Sequence, residues 1–138
     1  MMFRVALTCL MTLAVVSQAT AADKTKKSTI KHSYSAAYVV QRPAVRVSCF
    51  PAKLQRILVH ISKSTGHKLV ITSGHRPHSG KSQHHHCHAA DFRIPGVSEK
   101  KILAAARSAP GIGGVGRYCN GMVHVDIGPK RSWAHCRR

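Results

Sequence analysis

His84 and Asp91 stand seven positions apart, and a second histidine with a nearby acid follows downstream as His124-Val125-Asp126. Two imidazoles and one carboxylate are the protein ligands of a catalytic zinc site, which keeps its fourth position open. The scarcity of acids sharpens this reading. The chain has four Asp or Glu residues against 22 Lys or Arg. They are Asp23, Asp91, Glu99 and Asp126, so two of the four fall within these short segments. His85, His86 and His88 crowd the same run, and a plain reading makes them exposed loop histidines. Asp91 as a turn cap, or Asp126 as an ion-pair partner of Arg117 or Arg131, are the plain alternatives for the acids.

The elements that must position these groups follow from periodicity. Pro51 suits the first turn of a helix, and Leu54, Ile57, Leu58 and Ile61 then share one helical face. Gly66 ends that helix. Residues 68–72 are a short β-prone run, broken by Ser73-Gly74, with a polar loop over 75–83. Residues 89–94 predict another strand, ended by Pro95-Gly96. Ser98 caps a second helix over 99–108. Residues 115–118 and 122–127 predict a hairpin, with Cys119-Asn120-Gly121 near its turn. On that last strand, His124 and Asp126 face one way, and Val123, Val125 and Ile127 the other. The predicted class is α+β: a small antiparallel sheet with two main helices packed on it.

Composition bounds the setting. A chain of 138 residues holds one domain with a real core. Residues 1–22 have the pattern of a secretory signal: Arg4, a mostly apolar run over 5–16, and small residues before Asp23. Residues 23–47 read as a flexible basic linker, with a short extended piece at 37–40, and 48–138 as the folded domain. The formal net charge of +18 favours anionic partners. An exported chain meets cell-wall polymers and lipid head groups rather than nucleic acid, and interleaved aromatics for nucleic-acid binding are lacking. Beyond Cys9 of the signal-like segment there are four cysteines: Cys49, Cys87, Cys119 and Cys136. An even number in an oxidising compartment predicts two disulfides. Three connectivities are open; the expected one is Cys87–Cys119 with Cys49–Cys136, joining the two ligand-bearing segments and the domain's ends. No C-x-x-C pair supports cysteine ligation of a metal.

The run Ser82-x-His84-x-x-Cys87-x-Ala89-x-Asp91 closely resembles the S-x-H-x-x-G-x-A-x-D signature of the zinc D-Ala-D-Ala carboxypeptidase and murein endopeptidase family. Gly113-Gly114-Val115-Gly116, Val123-His124-Val125-Asp126-Ile127-Gly128 and Trp133 resemble its branch of small exported murein peptidases. Ser73-Gly74-His75-Arg76-Pro77 is similar to that branch's S-G-Y-R-S-P segment. The resemblance spans about residues 49–137. It implies a D,D-peptidase-like (hedgehog-like) fold and one zinc ion held by His84, Asp91 and His124. It implies that Arg76 pairs with a substrate carboxylate or a developing oxyanion, and that Ser82 orients the ligand loop or the peptide. The implied substrate is peptidoglycan peptide, met by an exported, periplasmic or secreted monomer.

This sequence also departs from the family pattern. Many relatives carry an acid or histidine two or three residues before the last zinc histidine, where Gly121 and Met122 stand here. Asp126 is then the remaining candidate for a general base, or for a group that orients His124. Cys87 replaces the usual glycine, which suits a disulfide. Two other functions fit the same residues: a wall-binding module without turnover, and a histidine-rich metal-binding protein. Trp133 reads as packing rather than a substrate platform.

Overall fold

Apolar residues recur at helical spacing in two segments and alternate in the strands, and the computed structural model, which describes residues 36–136, folds them accordingly. The segment 1–22 and the first part of the basic stretch lie outside the described residues. The elements are β1 (Tyr38–Val40), α1 (Ala52–Thr65), β2 (Leu69–Ser73), β3 (Ala89–Arg93), α2 (Glu99–Arg107), β4 (Gly114–Tyr118), β5 (Val123–Asp126) and β6 (Arg131–His135). Gly66 closes α1 in the left-handed conformation, where a residue without Cβ is unstrained, and its N–H donates to the Ser62 carbonyl. At the start of α2, the Ser98 hydroxyl accepts from the Lys101 N–H.

The six strands form one sheet in the order β1-β2-β3-β5-β4-β6. The class is α+β, as expected, but the sheet is mixed rather than antiparallel. The four inner strands pair antiparallel, while β1 joins β2 and β6 joins β4 in parallel. Two elements cause the difference. β1 comes from within the stretch read as a linker. β6 was missed because Arg131-Ser132-Trp133-Ala134-His135 lacks a clear apolar alternation.

Both helices cover one face of the sheet. Leu54, Ile57, Leu58 and Ile61 of α1 and Ile102, Leu103 and Ala106 of α2 meet Leu69, Ile71, Ala90, Phe92, Val123 and Val125 in one core. Side chains alternate along a strand, so the residues between those apolar ones point to the opposite face. Asp91 on β3, and His124 and Asp126 on β5, are those residues. Register places Asp91 opposite His124 and Ala89 opposite Asp126. The apolar packing of one face thus holds the polar groups of the other in register.

The disulfides are Cys49–Cys87 and Cys119–Cys136, which corrects the expected pairing. The reason is β6. Its parallel register sets His135 beside Tyr118, so the next residues along each strand, Cys136 and Cys119, are neighbours. Cys87 is left to Cys49, just before α1, with 6.0 Å between their Cα atoms. Cys87 also has φ 61°, the left-handed region that L side chains rarely adopt. This is the position where the resembling signature carries glycine, whose missing Cβ removes the strain. Peptide mapping under non-reducing conditions should recover Cys49 with Cys87 and Cys119 with Cys136. Replacing the first pair by serines should lower unfolding free energy by about 2–4 kcal/mol in urea titration.

Candidate metal centre

Three side chains from two strands and a loop converge. The acceptor atoms of His84, Asp91 and His124 all lie within 4.8 Å of one another, and all three residues are buried. His84 Nε2 is 3.3 Å from His124 Nδ1 and 3.3 Å from Asp91 Oδ2, and His124 Nδ1 is 2.8 Å from Asp91 Oδ1.

The outer nitrogens decide which lone pairs face inward. His84 Nδ1 donates to the Gly74 carbonyl oxygen at 2.6 Å, which leaves Nε2 bare. His124 Nε2 donates to Asp126 Oδ2 at 2.9 Å, which leaves Nδ1 bare. Two imidazole lone pairs and a carboxylate therefore aim at one point. Such a set repels itself unless a cation sits among its members. Zinc-bound nitrogens at about 2.0–2.1 Å from a tetrahedral ion are about 3.3 Å apart, as these are. The donor set thus fits zinc. The outer partners are of the kind metal-binding histidines use, a backbone carbonyl and a carboxylate.

Titration behaviour follows the same contacts. Burial alone would raise the Asp91 carboxyl, but hydrogen bonds from His124 and His84 and their charge hold it well below the usual carboxylate range. Burial alone would lower the His124 imidazole; its bonds to Asp126 and Asp91 outweigh this and raise it.

Asp126 is fully buried. Burial opposes its charge, yet it is pulled down to about 2 by the His124 bond and by the Gly114 and Gly128 N–H groups. Gly114 N–H reaches Oδ1 at 2.9 Å and Gly128 N–H at 2.8 Å. Arg131 adds a bond to each oxygen, at 3.3 Å to Oδ1 and 2.7 Å to Oδ2. So Arg131, not Arg117, is its ion-pair partner; Arg117 pairs with Glu99. A Cβ on Gly114 would collide with the Asp126 carboxylate, which explains a glycine there.

The remaining expected residues surround this centre. The Ser82 hydroxyl accepts from the His84 N–H at 3.3 Å. The Arg76 N–H donates to the His84 carbonyl at 3.1 Å, while its side chain is exposed beside a cleft. His85 and His86 are exposed and stand outside the convergent trio. Trp133 packs against His124, with ring centres 4.9 Å apart, in space that a Cβ on Gly116 would fill. Sequence reasoning missed Tyr118 and the Gly74 carbonyl. Tyr118 shares the site face of β4 with Gly114 and Gly116. Burial and the Asp91 charge raise its phenol, and the Arg76 charge partly offsets this. Strand alternation from Gly116 was the available signal for Tyr118.

The family model described as peptidoglycan L,D-endopeptidase MepK matches residues 50–133. The chain belongs to this peptidoglycan peptidase family. The match contains the trio, Arg76, Ser82 and Asp126, and it bears out the resemblance read from the motifs. No curated protein and no solved structure matched the chain. Among the described residues, no helix is long and apolar enough to cross a membrane. The disulfides and the family together suit an exported protein.

Asp126→Asn tests the orienting contact. An amide NH2 cannot accept from His124 Nε2, so the imidazole proton is driven to Nδ1, where a metal needs a lone pair. Zinc affinity should fall about 10–100-fold by competition with a chromogenic chelator, with the far-ultraviolet circular dichroism unchanged.

Proposed function

We propose that this chain is an exported zinc peptidase that cuts peptide bonds of peptidoglycan, in its stem peptides or cross-links, with internal L,D bonds as the kind of target that the family's description names. The observation that carries the reading is the convergence of three bare acceptors, His84 Nε2, Asp91 and His124 Nδ1, within the segment the family model matches. The D,D-peptidase-like fold is part of this proposal.

His84, Asp91 and His124 would hold the ion. Zinc held there supplies a Lewis acid that polarises a peptide carbonyl and makes water nucleophilic near neutral pH. Asp126 holds the His124 ring and its tautomer. Its oxygens already accept from His124, Gly114, Gly128 and Arg131, so we assign it orientation rather than proton abstraction. The Gly74 carbonyl does the same for His84, and Ser82 steadies the loop through the His84 N–H. Arg76 leaves the same loop with an exposed guanidinium, suited to a substrate carboxylate or to charge developing on the scissile oxygen. The positive field of the whole chain attracts an anionic wall polymer.

One observation favours a second reading, a wall-binding module without turnover. Gly121 and Met122 offer no proton acceptor before His124, and Asp126 is fully engaged.

Digestion of purified sacculi separates the two. The zinc-loaded protein should release soluble fragments and carry one zinc per chain by native mass spectrometry. His84→Ala should reduce release to background and lose the zinc. Sedimentation with sacculi but no release would select the binding module. Arg76→Ala should lower kcat by about 10²-fold if the guanidinium stabilises charge in the transition state.

A further inference from the structure

Beside the centre lies a cleft whose charged wall comes partly from outside the family-matched segment. It has a volume of about 500 Å³ and is lined by Arg46, His75, Arg76 and His78, among others. A smaller hollow of about 180 Å³ shares Arg46, His75 and Arg76 and adds Arg42, Ser73 and Gly74. Among the described residues, no Asp or Glu lines either one. Arg42 and Arg46 precede residue 50, where the family match begins.

This wall is fixed to the metal centre by backbone bonds. The Arg46 carbonyl accepts from the His75 N–H at 2.8 Å, and the Arg42 carbonyl from the Val45 N–H at 3.0 Å. The Gln41 N–H donates to the Ile71 carbonyl at 2.9 Å. Gly74 packs so closely on the Arg46 carbonyl that a Cβ would collide with it. The same Gly74 carbonyl holds His84 Nδ1. Ser73, in the hollow, stands opposite Asp91 in the β2–β3 register, so the two share a face. The smaller hollow therefore begins one strand away from Asp91.

We propose that Arg42 and Arg46, with Arg76, form a carboxylate-binding subsite that selects peptide substrates with a free carboxylate near the scissile bond. Among the described residues none of these three guanidiniums has a hydrogen-bond or ion-pair partner, and a carboxylate is their planar match. The segment before the matched domain then contributes to specificity. This inference rests on the peptidase reading for its substrate.

The test uses zinc-loaded full chain and soluble peptidoglycan fragments, either native or with carboxylates amidated by carbodiimide. Arg42→Gln and Arg46→Gln remove charge but keep the backbone carbonyls that brace the site. Each should raise KM for native fragments about tenfold, leave kcat near the parent value, and retain one zinc per chain. Arg46→Lys should recover part of the loss. Amidated fragments should bind weakly to the parent and the Gln variants alike. Direct binding by equilibrium dialysis reads the same difference if no fragment is cleaved, so a failed peptidase reading leaves this test intact. An unchanged preference for native over amidated fragments in zinc-replete Gln variants overturns the subsite. So does displacement of the fragments by equimolar inorganic phosphate, which marks a general anion patch.

Discussion

The site depends on one buried carboxylate holding one ring nitrogen. The Asp126 carboxylate accepts a hydrogen bond from His124 Nε2–H, and this leaves His124 Nδ1 as an acceptor. A carboxylate without solvent is costly unless its lone pairs are filled. Two main-chain N–H groups and a guanidinium fill them here. The main-chain groups come close enough because Gly114 and Gly128 carry no side chains. Gly116 makes room in the same way for Trp133, which backs the other side of the imidazole. The glycine pattern of β4 is thus a packing requirement of His124.

The central strands turn this local arrangement into a rigid one. β3 and β5 are neighbours, with helices across their apolar face. Phe92, Val123 and Val125 are fully buried there. A slip of one residue in either strand would send Asp91 or His124 into the core and an apolar residue out to the centre. Hydrophobic packing therefore selects the register that the polar chemistry requires. His84 lacks this support, since it lies on a loop. Its place depends on the Gly74 carbonyl, the Arg76 N–H and the Cys87 bridge.

Much of this was legible beforehand, for physical reasons. His84, Asp91 and His124 stood out because acids are scarce and because strand alternation placed His124 and Asp126 on one face. Both helices and the β4–β5 hairpin followed from periodicity and turn residues. What escaped was long-range. Parallel pairing leaves little local trace, so β1 showed only as a short extended piece within a basic stretch, and no strand was expected over 131–135. The disulfide pairing failed with β6, because Cys136 meets Cys119 only when His135 lies beside Tyr118. The role of Asp126 was open because sequence cannot count the donors that surround a carboxylate. Arg131 was one of two candidate partners, and only the turn after β5 brings it back to Asp126.

The left-handed residue at Cys87 has a further meaning. A loop that must reach such a conformation pays in entropy as well as strain, and a loop shaped only by its ion would take that cost from the ion's binding energy. Here the Cys49 bridge restricts the loop by itself. The loop's shape then rests on a covalent bond, so an ion held by His84, Asp91 and His124 would enter a cage already formed.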